Sequence, residues 1–156
     1  MKKLSKSVSQ TLKIGSLLAK RLSGGEIILL SGSLGAGKTV LAKGIAGGLG
    51  IDRRQVVSPT FVFLRLYQGR RYCLNHFDFY RVKEPAEVMA IGYEEYFYSD
   101  SVTVIEWPQR LKFLLPREFL KIKLTVKGAA SRLLEFSARG NRYKQLLKDI
   151  YEDIGH

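Results

Sequence analysis

The sequence predicts an α/β fold: a three-layer sandwich whose mixed central sheet contains an antiparallel hairpin and carries helices on both faces. Three observations predict it. The octet Gly32-Ser33-Leu34-Gly35-Ala36-Gly37-Lys38-Thr39 matches the phosphate-binding pattern G-x-x-x-x-G-K-[ST]. Its flanks have the required order: Glu26 to Leu30 is a short apolar run of interior-strand type, and Thr39 to Leu49 continues as a helix with Leu41, Ile45 and Leu49 on one side. Two extended runs follow, Phe61 to Tyr67 and Arg71 to Phe79, separated by the turn-prone Gln68-Gly69-Arg70, and they predict the hairpin. Strand, glycine loop and helix make the arrangement P-loop NTPase-like.

The remaining elements read in order. Ser9 to Leu22 places Leu12, Ile14, Leu17, Leu18 and Leu22 at helical spacing, ended by Gly24-Gly25, so a helix precedes the first predicted strand. After the loop helix, Gly47, Gly48 and Gly50 open a charged connection, Ile51 to Gln55, leading to Val56-Val57-Ser58-Pro59-Thr60. Glu84-Pro85-Ala86-Glu87 starts a helix with proline in its first turn, and Ile91 to Phe97 is a second short helical piece. Ser101 to Ile105 is a buried strand; Leu120 to Val126 and Leu133 to Ser137 are strands joined at Lys127-Gly128; a helix runs from about Asn141 to Ile150. There is no internal repeat and no linker.

With 156 residues and 46% hydrophobic content, the chain is expected to be a single domain, 1–156, with a sizeable core, and the composition argues against disorder. No apolar stretch approaches the about 20 residues of a membrane helix, and the N-terminus lacks the apolar core of a secretory signal. A cytoplasmic location without membrane contact is expected. Cys73 is the sole cysteine, so it is read as a reduced core or strand residue, without disulfide or metal-ligand spacing. Against 14 acids stand 26 basic residues, a net charge of +12, with denser runs at Arg53-Arg54, at Arg70-Arg71 and from Arg110 to Lys148. Such a balance favours a polyanion, either nucleic acid or an acidic protein, without choosing between them.

The octet specifies chemistry. Its glycines let successive N–H groups point at a polyphosphate beside a helix N-terminus, Lys38 reaches the β- and γ-phosphates, and the Thr39 hydroxyl can hold Mg²⁺. Ser33, Leu34, Gly35, Ala36 and Gly37 are therefore nucleotide-binding candidates along with Lys38 and Thr39. Such a site also needs an acid for the metal and one for the attacking water. Glu106 ends the apolar strand Val102-Thr103-Val104-Ile105 at the edge where open α/β sheets bind ligands. Asp78 lies between Phe77 and Phe79, and period-two alternation puts it on the face of His76 and Tyr80. His76 is either a hydrogen-bonded structural histidine or a catalytic one. Thr60 is placed like a switch threonine that senses the γ-phosphate; read by itself, Ser58-Pro59-Thr60 is also an ordinary turn.

In order along the chain, Gly32-to-Thr39, Ser58-Pro59-Thr60-Phe61, His76-Phe77-Asp78-Phe79-Tyr80-Arg81 and Ile105-Glu106-Trp107-Pro108 resemble the TsaE family, ATPases of bacterial threonylcarbamoyladenosine synthesis in tRNA. The resemblance runs from the first helix through Pro108, about two-thirds of the chain. It implies a small ATPase, cycling ATP to ADP with Mg²⁺, that supports a TsaD-like threonylcarbamoyl transferase and its TsaB-like partner acting on tRNA. It assigns Lys38 and Thr39 to the phosphates and metal, Glu106 to Mg²⁺, Asp78 to hydrolysis and Thr60 to a nucleotide-responsive segment. It also puts Thr11 by the base, Trp107 by the pocket and Arg132 at a nucleotide contact; from about Leu111 only the strand pattern matches. The strongly basic surface is not part of the family pattern and leaves direct tRNA contact open.

Arg81 is read either as a transition-state cation or as a salt-bridge partner of Glu84 or Asp78. If the cation for fast hydrolysis is supplied by a partner, which is worth a factor of about 10³ or more, weak intrinsic turnover is expected. Two other readings stand beside the ATPase. A small-molecule kinase would use the same loop, although 156 residues leave little room for a lid and an acceptor domain. An RNA-binding protein holding a structural nucleotide would explain the charge.

Overall fold

The computed structural model describes residues 1–155. Along the chain these form β1 (Lys2–Ser5), α1 (Val8–Lys20), β2 (Ile27–Ser31), α2 (Lys38–Gly48), β3 (Leu64–Tyr67), β4 (Leu74–Asp78), α3 (Pro85–Ala90), α4 (Tyr93–Phe97), β5 (Val102–Glu106), β6 (Phe119–Val126), β7 (Arg132–Arg139) and α5 (Asn141–Ile154). Short 3₁₀ segments occupy Arg53–Gln55 and Pro108–Leu114.

The seven strands make one sheet, ordered β1-β7-β6-β2-β5-β4-β3. Four of them are parallel: β2 pairs with β5 and β6, and β4 with β5. The inner three, β2, β4 and β5, are buried along almost their whole length, as strands covered on both faces are. The antiparallel additions lie at the edges, β3 on β4, β7 on β6 and β1 on β7.

One face is covered by α1, α2 and α5, whose Leu18, Leu41, Ile45 and Ile150 join Ile28, Leu30, Val104 and Ile122 of the sheet in one buried cluster. Ser7 caps α1 by accepting from the Gln10 N–H at 3.1 Å, and the Gln10 side chain accepts from the Lys6 N–H, one residue before the cap, at 2.8 Å. Helices α1 and α2 approach closely because glycine stands where they cross. A Cβ on Gly44 would collide with the Leu12 carbonyl, and one on Gly15 would lie 2.7 Å from the Leu41 carbonyl oxygen. Leu12 thus meets Gly44 and Ser16 meets Gly48, so the two helices run the same way, with both N-termini at one end of the sheet.

The other face carries α3, α4 and the 108–114 segment over β2, β5 and β4. Here Phe77, Phe79 and Phe97 are fully buried with Ile105, Leu29 and Val88. Phe77 and Phe97 meet edge to face at 5.3 Å, and each such ring is worth about 1.5–3 kcal/mol of burial. Helix α3 begins on a capping box, Glu84 with Glu87, and Pro85 in the first turn, as the sequence indicates.

The three-layer α/β prediction holds, with some corrections. Strand β1 was not foreseen, because Lys2-Lys3-Leu4-Ser5 has no apolar run; it is held through backbone pairing with Arg132 to Glu135 and through the Phe136 N–H donating to the Met1 carbonyl at 2.8 Å. The strand expected from Phe61 starts only at Leu64, since the Val62 and Phe63 N–H groups turn back to the Pro59 carbonyl at 3.1 and 2.7 Å. Its partner, expected from Arg71, is Leu74–Asp78. The last helix extends to Ile154. Cys73 is a half-buried free thiol immediately before β4, outside the core clusters.

Candidate active site

The parallel strands deliver the predicted residues to one edge. Residues 32–37 connect β2 to α2, Asp78 ends β4 and Glu106 ends β5, and the register aligns Leu30 with Glu106 and Glu106 with Asp78. Adjacent strands lie about 4.8 Å apart, so loop, metal-type acid and second acid are neighbours by construction. A cleft of about 350 Å³ there is lined by Leu34, Gly35, Gly37, Lys38, Thr39, Val40, Ser58, Thr60, Asp78, Tyr80, Glu106 and Trp107. A larger cavity of about 650 Å³, bounded by Gly24, Phe97, Tyr98, Arg117 and Arg142, contains none of the predicted site residues.

The loop is tightly fixed. At Gly32 φ is +150°, and a Cβ there would stand 2.6 Å from the Leu124 carbonyl oxygen. Ala36 is fully buried and its N–H donates to the Ser33 carbonyl at 3.1 Å. Lys38 is 5% exposed; its Nζ donates to the carbonyls of Gly32 at 2.7 Å and Ser33 at 2.8 Å and lies 4.5 Å from the centre of the Trp107 ring. Burial pushes its ammonium below the ordinary lysine value, while the carboxylates of Glu106 and Asp78 pull the other way.

Glu106, 2% exposed, is held from two sides. The Thr39 hydroxyl donates to its carboxylate at 3.1 and 3.2 Å, and His76 Nε2 lies 2.6 Å from Oε2. His76 is fully buried, and its Nδ1 is the one buried side-chain polar atom without a partner among the described residues. Such an atom costs about 1–3 kcal/mol, which suits a histidine kept for its bond to Glu106. Thr39 Oγ1 and the Glu106 carboxylate form a hard oxygen pair. Among the described residues no group of three or more His, Cys, Asp or Glu could cage a metal, and the pair fits Mg²⁺, which takes its other ligands from water and phosphate.

Asp78, 3% exposed, accepts from the Tyr80 N–H at 2.9 Å through Oδ1 and from the hydroxyls of Thr60 at 2.7 Å and Ser58 at 3.1 Å through Oδ2. Alternation along β4 is as expected: Phe77 and Phe79 enter the aromatic layer, and His76 and Asp78 face the site. Trp107 has a left-handed backbone, φ +58°, a strained conformation of the kind concentrated at functional sites, and its ring packs on Tyr80 at 4.9 Å.

Not every predicted residue reaches the cleft. Thr11 is buried, its hydroxyl 2.8 Å from Ser5 Oγ and 3.4 Å from the Ser7 carbonyl, at the end of α1 that lies beside the start of α2. Arg132 stands outside the loop and ties it down, Nε donating to the Ala36 carbonyl at 3.0 Å and Nη2 to that of Gly35 at 3.3 Å. Ser33 is exposed and Ala36 faces the core, and neither lines the cleft. Arg81 makes no salt bridge with Glu84 or Asp78: its guanidinium lies 4.1 Å from the Phe61 ring, because Glu84 caps α3 and Asp78 is already occupied by hydroxyls. Sequence reasoning missed Ser58, Val40 and Tyr80 as lining residues. Tyr80 was findable, since it alternates onto the face of Asp78.

The family model described as "Threonylcarbamoyl adenosine biosynthesis protein TsaE" matches residues 5–134. The chain is 38% identical over 141 residues to the tRNA threonylcarbamoyladenosine biosynthesis protein TsaE of Bacillus subtilis, an alignment covering 90% of this chain and 87% of the relative. The protein of that name from Treponema pallidum is 38% identical over 132 residues, 85% of this chain and 96% of the relative. The crystal structure of Bacillus subtilis YdiB superposes with a TM-score of 0.84 at 34% identity, covering 98% of this chain and 95% of that one.

Proposed function

The chain belongs to the TsaE family, and we propose that in tRNA threonylcarbamoyladenosine biosynthesis it is the Mg²⁺-dependent subunit that hydrolyses ATP to ADP and phosphate. We propose further that it is slow alone and acts in support of a TsaD-like transferase and its TsaB-like partner in the cytoplasm. One observation carries the reading: Lys38, Thr39, Glu106 and Asp78 converge on one cleft at the carboxyl ends of β2, β5 and β4.

The residues divide the work. The N–H groups of 33–39 and the start of α2 cradle the polyphosphate, and Lys38 exchanges its two carbonyl partners for β- and γ-phosphate oxygens. Thr39 Oγ1 and Glu106 would hold Mg²⁺, whose positive charge would stabilise the negative charge of the phosphates. His76, through Nε2, fixes the rotamer of Glu106. Asp78 orients the attacking water and accepts its proton. Its Oδ2 carries two hydroxyls, Ser58 and Thr60. When Thr60 turns toward the γ-phosphate, that oxygen loses the closer of its two donors and takes a water in its place, so nucleotide recognition and assembly of the hydrolytic site become one event. The indole of Trp107 is the floor against which Lys38 moves.

The test is phosphate release from Mg-ATP by the purified chain, alone and then with the transferase pair and tRNA. A slow rate that rises with the pair and vanishes in Asp78→Ala and Glu106→Ala is expected. Phosphate appearing on an added acceptor would turn the assignment to a kinase; release under none of these conditions would overturn hydrolysis.

A further inference from the structure

The sheet face that carries α3 and α4 is only half covered. Its aromatic layer lies over β4, β5 and β2 and ends at Phe119. Beyond it the register places Lys121 opposite Ser137, Lys123 opposite Glu135, Phe119 opposite Arg139 and Lys2 opposite Glu135, all on the same uncovered face of β6, β7 and β1. Lys123, Ser137, Arg139 and Lys2 are exposed, and the alternate residues Leu120, Ile122, Leu124, Leu134 and Phe136 enter the core on the other side. The one acid of this surface, Glu135, is neutralised by Lys2 at 2.9 Å, which holds its carboxyl below the usual range. Lys121, Lys123 and Arg139 take part in none of the ion pairs found among the described residues.

Charge is segregated along the chain in the same sense. From Glu84 to Glu106, the stretch holding α3, α4 and β5, there are six acids and no lysine or arginine; from Pro108 to Lys148 there are eleven lysines and arginines and two acids. At the boundary Lys112 and Lys121 line one groove of about 220 Å³, and the neighbouring Phe113 ring is 77% exposed. An exposed aromatic beside a cationic strand surface is a means of holding RNA, by base stacking next to phosphate contacts.

We propose that this bare half-sheet, β6, β7 and β1 with Lys112 and Phe113 at its rim, binds the phosphate backbone of tRNA. Protein interfaces are built round apolar and aromatic anchors with charge depleted at the centre. This surface has the reverse composition, cations and hydroxyls at the centre and the apolar Phe113, Phe119, Leu4 and Leu133 only along its borders. The polyanion named in the family's process is tRNA. The proposal rests on the reading of the chain as a member of that process and adds direct contact with the RNA to it.

The experiment is fluorescence anisotropy of labelled, unmodified tRNA with the full chain between 50 and 200 mM salt. A triple variant, Lys121→Glu, Lys123→Glu and Arg139→Glu, is compared with a control triple at the opposite end of the sheet, Arg65→Glu, Arg70→Glu and Lys83→Glu. Expected is salt-dependent binding that the first triple weakens at least about tenfold, lowering the salt slope by about 0.9 for each phosphate that is no longer neutralised, while the control triple stays within about threefold. Nucleotide binding, followed by the fluorescence of the sole tryptophan, Trp107, reports separately on the ATP site and confirms that each variant is folded. Should the first triple lose that response, Lys123→Gln with Arg139→Gln replaces it. No tRNA binding at 100 mM salt, equal loss in both triples, or displacement of tRNA by polyglutamate at equal charge concentration would each overturn the proposal, the last pointing to an acidic protein. Failure of wild-type Trp107 to respond to Mg-ATP would instead strike the ATPase reading.

Discussion

Two loops face the same cleft and are built in opposite ways. The segment 32–39 is locked: Gly32 sits against the Leu124 carbonyl, Ala36 is in the core, Lys38 closes on Gly32 and Ser33, and Arg132 ties Gly35 and Ala36 from outside. The segment 56–63 is anchored by the buried Val56 and Pro59 but between and beyond them leaves Val57 45%, Val62 52% and Phe61 76% exposed, and its polar side chains reach the site through two hydroxyls on one carboxylate oxygen of Asp78. A phosphate cradle has to be preorganised, because its N–H groups act only if they are already aimed. A sensing loop has to be releasable, and local stability of this kind sits at the low end of what a fold provides. On the proposed mechanism the first loop stays in place and the second moves, with Asp78 linking the two.

The largest effect should come from removing that link. Asp78→Asn keeps the shape and acceptance at Oδ1 but cannot take a proton, so stimulated phosphate release should fall by about 10²–10³-fold. Nucleotide affinity, which belongs to the locked loop, should stay within a few-fold by Trp107 fluorescence. A large loss of affinity would mean that the two loops are not separable.

The locked loop should answer in stability. Gly32→Ala sets a methyl against a backbone oxygen at a φ of +150° and should cost about 2–3 kcal/mol. In a chain of this size that lowers Tm by about 5–10 °C. The releasable loop should do the opposite: Ser58→Ala with Thr60→Ala should shift Tm by at most a few degrees, yet slow phosphate release about tenfold, the worth of one hydrogen bond to a charged group. Hydrogen exchange at 56–63 should quicken in that variant and remain unchanged at 32–39. Should the double alanine variant destabilise the protein as much as Gly32→Ala, the second loop is structural. Between the two lies His76. His76→Gln keeps a donor near the Nε2 position and should retain Mg²⁺-dependence of nucleotide binding, whereas His76→Leu should raise the Mg²⁺ needed for half-saturation several-fold.

The locked loop was legible throughout, whereas in the releasable one Thr60 was found as a switch candidate but its partner was not, for a physical reason. Glycines, Lys38 and Thr39 at fixed spacing between a strand and a helix specify a geometry that is local in sequence, and the alternation Phe77-Asp78-Phe79 told which face Asp78 takes. Glu106 was found because strand ends in parallel sheets are ligand edges. By contrast, the tie of Thr60 and Ser58 to Asp78 spans about twenty residues and leaves no periodic trace. Strand β1 is fixed by backbone pairing to the far end of the chain, which side-chain pattern does not encode. Arg132 sits close to the loop, yet its donors go to carbonyls of that loop. Position predicted the neighbourhood but not the partner.

The smallest effect lies in the titration of Lys38. Burial holds its ammonium below the ordinary lysine value in the folded state, so in the unfolded chain the same group keeps its proton to higher pH. Between the lowered folded value and about 10.4 the unfolded state binds more protons, and stability from this group therefore rises with pH. Below that window the charged lysine is a net burden that the site bears for function. Lys38→Met should accordingly gain in Tm relative to wild type near neutral pH, and the gap should shrink as pH rises through the window, read as the difference between two melting curves so that other lysines cancel. No variant of the 56–63 loop should have such a profile, because none of its residues carries a buried charge. A gap that stayed constant with pH would mean that the carboxylates of Glu106 and Asp78 fully offset the burial, and that the cradle bears no electrostatic load without its nucleotide.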